Sequence, residues 1–222
     1  ILDSGNTPYA ALAGDHDNED LGASPEDWTH YDGCVTPKRV LSDVDGESHQ
    51  EGKARHYYQL RELAGEEVLL VYISNQYRET LDETMPLSWI RQTIEDYPDR
   101  TTILSTHHYQ HGRTDLRNST LSPMGIRLYP IVKEYNVDLV LDAHNGVGRS
   151  PGAITQCYQV LEPTGGNGFL RLLGFNSDMS EVYIRTYSPY TDETAVGEQT
   201  IGGITEDGSD PKTGKNHFLM RL

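Results

Sequence analysis

Three short apolar runs in this chain end in clusters of aspartate and histidine, and that recurrence limits the fold more than any other feature. Pro8-Tyr9-Ala10-Ala11-Leu12 empties into Ala13-Gly14-Asp15-His16-Asp17-Asn18. Thr102-Ile103-Leu104-Ser105-Thr106 meets His107-His108, and Val137-Asp138-Leu139-Val140-Leu141 meets Asp142-Ala143-His144-Asn145. Short, continuous apolar runs bounded by turn residues read as buried strands. The carboxyl ends of such strands are where open α/β sheets gather their ligands. Between the runs, Leu87, Ile90, Ile94 and Tyr97 recur with helical period, as do Leu128, Ile131, Val132 and Tyr135 after Pro123. With Val68 to Ser74 as a further strand, the middle of the chain reads β-α-β-α-β, the pattern of a layered α/β sheet.

The flanks are less regular. Asn18 to Pro37 reads as a long surface loop that Trp28, Tyr31 and Cys34 pin down, and Asp43 to Lys53 as a turn-rich segment before a strand at Ala54 to Leu63. Beyond His144, Ala153–Leu161, Phe169–Phe175, Val182–Tyr187 and His217–Leu222 are short apolar stretches split by glycine-rich turns, with no helical pattern between them. Residues 1–222 are therefore expected to form one domain. Its 1–150 half carries the ligand-bearing strand ends, and its 151–222 half is antiparallel, with a long polar loop at about 193–215.

Chemistry follows from the clusters. Asp15, His107 and His144, each at a strand end, can converge on one divalent ion through oxygen and nitrogen donors at about 2.0–2.2 Å. His16 and Asp17 read as an acid/base pair beside it, with the carboxylate orienting the imidazole so that it can donate to a leaving oxygen. His108, Arg113 and Arg149 are candidate contacts for a phosphate, which arginine grips through paired hydrogen bonds; a solvated loop surface is the plainer alternative for all three.

Composition narrows the partners. A formal charge of −16 disfavours nucleic acid as a passive electrostatic partner. It also disfavours a phosphorylated ligand unless bound cations reverse the local field. The longest apolar run, Val68 to Ile73, is far shorter than the roughly 20 residues that cross a bilayer, so no membrane partner is expected. No charged-then-apolar secretory segment opens the chain. Cys34 and Cys157 lack CxxC spacing, which leaves two unpaired thiols and one long-range disulfide equally open. Gly208 to Asn216 fails the spacing of a phosphate loop, and no Gly-x-Ser-x-Gly elbow marks a serine hydrolase.

The blocks and their order resemble a known family. Gly14-Asp15-His16-Asp17 is similar to the GNH[DE] block of the calcineurin-like metallophosphoesterases. Ile103-Leu104-Ser105-Thr106-His107 resembles that family's strand ending in one ligand histidine, and Leu139 to Gly146 resembles its GHxH block. Gly165 to Leu172 and Arg185 to Tyr190 look like segments of a secreted branch. The resemblance implies an α/β fold, the layered α-β-β-α sandwich of that family, here lacking its first β-α units. It implies a dinuclear centre of manganese, iron or zinc, with Asp15, His107 and His144 among the ligands of the second metal. It further implies hydrolysis of a small phosphate mono- or diester by metal-bound hydroxide, with His16 assisting the leaving group, in a secreted or periplasmic protein.

The departures define a second expectation. The family's first two blocks lie upstream of the GNH[DE] block and are not in this sequence. Asp15 stands where the family has asparagine. Ala143 replaces a glycine, and the second histidine of GHxH is missing, which removes a ligand of the first metal. A catalytically degenerate relative, binding one metal or none as an interaction or structural module, is the alternative.

Overall fold

The computed structural model describes residues 8–14, 17, 28–74, 85–111, 120–142, 149–150, 153–155, 170–194, 199–201, 204–206 and 217–221. Two short helices come first, α1 (Thr29–Cys34) and α2 (Pro37–Val40), followed by strands β1 (Gly46–Gln50), β2 (Lys53–Leu63) and β3 (Glu66–Ile73). Then come α3 (Leu87–Asp96), β4 (Thr101–Thr106), the two-residue strands β5 (Gln110–His111) and β6 (Thr120–Leu121), α4 (Pro123–Glu134) and β7 (Leu139–Asp142). The remainder is all strand: β8 (Arg149–Ser150), β9 (Ala153–Thr155), β10 (Leu170–Phe175), β11 (Glu181–Ser188), β12 (Glu193–Thr194), β13 (Gln199–Ile201), β14 (Ile204–Glu206) and β15 (His217–Arg221).

The main sheet has seven strands in the order β1-β2-β3-β4-β7-β9-β8. Its centre, β3-β4-β7-β9, is parallel, and hairpins close both flanks antiparallel. This is a mixed α/β fold. Parallel neighbours need a crossover, and α3 and α4 supply two of them, β3 to β4 and β4 to β7.

Side chains alternate between the faces of a strand, so one run of apolar residues can feed two cores. On β3, Leu69, Val71 and Ile73 join Leu104 of β4 and Val140 of β7 in a core with Ile90 and Ile94 of α3 and Leu128 and Ile131 of α4. Val68, Ile103 and Leu139 turn to the other face, where they pack with Met179, Val182, Leu173 and Phe175 on and around β10–β11. Strands β10, β11, β12 and β15 form a second, antiparallel sheet. The result is a helix layer, a mixed sheet and a second sheet. Among the described residues no helix is long and apolar enough to cross a membrane.

Several local expectations fail for physical reasons. Pro8 to Leu12 is not a strand; its backbone bonds to side-chain hydroxyls of Tyr57 and Tyr31 instead of to a neighbouring ladder. The segment expected as loop before Pro37 contains α1, because burial of Trp28 and Tyr31 overrides a polar sequence, and Cys34 pins nothing: it is exposed and free. β1 forms from the polar stretch Gly46–Gln50 by pairing with β2. β9 does not join an antiparallel half but extends the parallel centre beside β7. Two short strands, β13 and β14, pair inside the stretch expected to be a polar loop.

Candidate functional site

Parallel strands bring their carboxyl ends to one edge of the sheet. Register shows which residues share that edge: Ile73 of β3 lies opposite Thr106 of β4, and Ser105 opposite Leu141 of β7. The next residues out are Ser74, His107 and Asp142. Neighbouring strands run about 4.8 Å apart, so these ends lie within reach of a common ligand.

The segment 10–14 lies along the same edge without belonging to the sheet. Ala13 donates its N–H to Ser74 Oγ at 3.2 Å. Ala11 donates its N–H to the Tyr57 hydroxyl at 2.9 Å, and that hydroxyl donates back to Ala11 O at 2.8 Å. The Tyr31 hydroxyl donates to Ala11 O at 3.2 Å. A small cavity of about 180 Å³ separates Ala10 and Leu12 from Tyr72, Ser105 and Leu141 beneath them.

Gly14 is where the segment meets β4. A Cβ on Gly14 would sit 2.9 Å from His107 Cε1, 3.1 Å from Nδ1 and 3.2 Å from Nε2. The imidazole therefore rests against bare backbone, in space that any other residue would fill. The next turn is closed by Asp17: Gly14 donates its N–H to Asp17 Oδ2 at 2.8 Å, and Asp17 N–H returns to Gly14 O at 3.4 Å. Asp17 thus ties back to the Gly14 backbone, a task its expected role beside His16 did not include.

On the far side of His107, the helix layer fixes the backbone. Ser122 caps α4 by accepting from Gly125 N–H at 2.9 Å, and its hydroxyl donates to His108 O at 2.5 Å. Ser122 N–H also donates to Tyr109 O at 3.0 Å, and a Cβ on Gly125 would overlap that same carbonyl. Buried Tyr109 has its phenol pushed up to about 12, first by burial. Tyr31 is likewise raised to about 12, chiefly by burial, so both hydroxyls stay protonated.

Of the residues singled out from sequence, His107, His108 and Asp17 are described, and the first and last meet at Gly14. His107 and His108 are half-buried and Asp17 is exposed. Asp15, His16, Arg113 and His144 lie outside the described residues, as does the side chain of Arg149, whose backbone forms β8. Asp142, at the end of β7, is 1% exposed. Sequence reasoning missed Tyr57, Ser74 and Ser122, while Tyr31, expected to pin the 18–37 segment, also bonds to Ala11 O. Only Ser122 carried a readable signal, a serine directly before proline at the start of an apolar-periodic run.

Of the expected donors the described residues supply one imidazole, that of His107, whose ring packs against the bare backbone of Gly14, and Asp15 follows Gly14 directly in sequence. Among the described residues there is no group of three potential ligands, and two of the three expected ones fall outside them.

No family model matches the chain. A protein of Bacillus subtilis (strain 168), described as uncharacterized protein YvnB, is 30% identical over 230 residues, covering 93% of this chain. The same alignment covers 16% of that relative, so the chain spans about a sixth of its length. Most of this chain thus aligns with one part of a much longer protein.

Proposed function

We propose that this chain is part of a metal-dependent phosphate-ester hydrolase of the calcineurin-like type. The observation that carries the reading is that the Gly14–Asp17 turn, His107 and the end of β7 meet at one edge of a mixed sheet. The helix–sheet–sheet layering supports the same assignment. Manganese, iron or zinc suits the mixed carboxylate and imidazole donors of Asp15, His107 and His144. When bound, such ions supply Lewis acidity and lower the pKa of water at the phosphorus centre.

The chain's own groups do the rest. Gly14 seats the His107 ring, Asp17 closes the turn, and His16 is the proton donor to the leaving alcohol. His108, Arg113 and Arg149 are the phosphate contacts, and cation binding offsets the repulsion that a −16 chain exerts on a small anionic substrate. The secreted or periplasmic location belongs to the same reading.

One observation favours a second reading. Ala143-His144-Asn145-Gly146 lacks the second histidine of its block, which supports a degenerate module with one ion or none. Metal analysis of the full-length protein, with phosphodiester and phosphomonoester assays under added manganese or zinc, separates the two. The enzyme reading expects turnover that falls to background in His16→Ala. Turnover no higher than that variant overturns it.

A further inference from the structure

We propose that the Tyr57 hydroxyl is a positioning group for this site, holding Ala11 so that the Gly14–Asp17 turn stays seated on His107. The proposal rests on the functional reading above and adds a residue from a strand outside the three Asp/His clusters.

Residues 8–14 run over the sheet without a strand ladder, so their peptide groups need other partners. Tyr57 supplies two at once. Its hydroxyl accepts from Ala11 N–H and donates to Ala11 O, at 2.9 and 2.8 Å, the pair of bonds a neighbouring strand would make. The anchor is stiff. Tyr57 is fully buried on β2, opposite Tyr72 of β3, and the two rings stack with centroids 4.7 Å apart. Burial pushes the phenol far above its ordinary value, so it keeps the proton that it donates. Tyr31 and Ser74 add single bonds to Ala11 O and Ala13 N–H, but neither both gives and takes on one residue.

The turn that must be held begins three residues on. Gly14 contacts His107 at a distance that leaves no room for a methyl group, so a slide of the segment changes the His107 environment directly. Tyr72 provides the comparison. It shares the face and the aromatic stack of Tyr57 and is half-buried, yet its hydroxyl reaches Gln59 Oε1 at 3.5 Å and none of the described backbone of 8–14.

The test compares Tyr57→Phe with Tyr72→Phe in the full chain, using Mn²⁺ alone as the probe. Expected are similar melting temperatures for the two variants and roughly tenfold faster amide exchange at Ala11, Ala13 and Gly14 in Tyr57→Phe. The His107 Hε1 resonance shifts, and Mn²⁺ affinity drops about 10- to 100-fold, the loss typical when a group supporting a metal ligand is removed. Ser74→Ala reports on the same segment if Tyr57→Phe does not fold. Equal exchange and an unmoved His107 resonance in the two phenylalanine variants would overturn the proposal. Unfolding of both Tyr57→Phe and Ser74→Ala would overturn it too, by making these hydroxyls structural. If the wild-type protein binds no Mn²⁺, the metal reading fails alone, and exchange and the His107 resonance decide the positioning role.

Discussion

Gly14→Ala separates the stability of this protein from the chemistry of its sheet edge. The new Cβ would stand 2.9 Å from His107 Cε1, where carbon atoms prefer about 3.5–4.0 Å. Relief therefore takes a shift of roughly 0.6–1 Å, shared between the imidazole and the 10–14 segment. The segment is anchored by Tyr57 and Ser74, so the ring moves more. Overpacking costs about 1–3 kcal/mol. The smaller entropy of an unfolded alanine returns about 0.4–1 kcal/mol. The net loss of stability is about 0–2.6 kcal/mol.

Catalysis has less tolerance: groups in a site must be held within about 0.5 Å, and a 1 Å misplacement costs about 10²-fold in rate. On the proposed hydrolase reading, Gly14→Ala melts within several degrees of wild type while losing about two orders of magnitude in phosphodiester turnover. Gly33→Ala in α1 is the control, because a Cβ there meets nothing within 4 Å. The variant and its control are compared by thermal denaturation, turnover and the His107 Hε1 resonance. An unmoved His107 resonance in Gly14→Ala, with turnover equal to that of Gly33→Ala, would refute the reasoning.

The remaining expectations concern the supports of the site and the core. Ser122→Ala removes the cap of α4 and the bond to His108 O, and should cost about 1–2 kcal/mol in denaturant unfolding, with faster exchange across 107–109. His56, 5% exposed on β2, has its pKa pushed down to about 3, first by burial and then by His49 and Arg55. It stays neutral when folded, while the unfolded chain takes up a proton below about 6.5. Its contribution is therefore complete above pH 6.5 and is lost on acidification toward pH 3, with about 2 kcal/mol gone by pH 5. Urea midpoints between pH 7.5 and 5 measure this slope, and an equal slope in His56→Phe would exclude His56 as its source. Leu104→Ala, fully buried between the main sheet and the helices, should cost about 2–5 kcal/mol by the same method.

What was legible in the sequence followed from burial and period. β3, β4 and β7 are buried on both faces, so β3 and β7 appear as unbroken apolar runs and β4 as Ile103-Leu104 between threonines and serine, and α3 and α4 show the 3.6-residue repeat of helices packed on one side. Once these strands are parallel, the clusters after Thr106 and Leu141 must share an edge. Position 8–12 was misread because a short apolar run fits a strand, a helix turn or a segment lying across a sheet equally well. What decides among them is the hydroxyl of Tyr57, 46 residues away. β1 was invisible because pairing with β2, rather than apolar content, makes Gly46–Gln50 a strand.

The same limit applies to the site, and it bears on which functional reading survives. A histidine and a glycine 93 positions apart in sequence carry no sign that one ring lies against the other's backbone. That contact matters for the choice between enzyme and degenerate module. A module without a metal needs no bare backbone beside an imidazole and would accept alanine at position 14 after a small repacking. A site that orients His107 toward an ion depends on the missing methyl group. If Gly14→Ala leaves the purified protein's metal content unchanged while shifting the His107 resonance, the glycine serves packing alone and the module gains ground. If metal content falls while the melting temperature holds, the contact is part of the ion's cradle, and the lost histidine beyond His144 has not silenced the site.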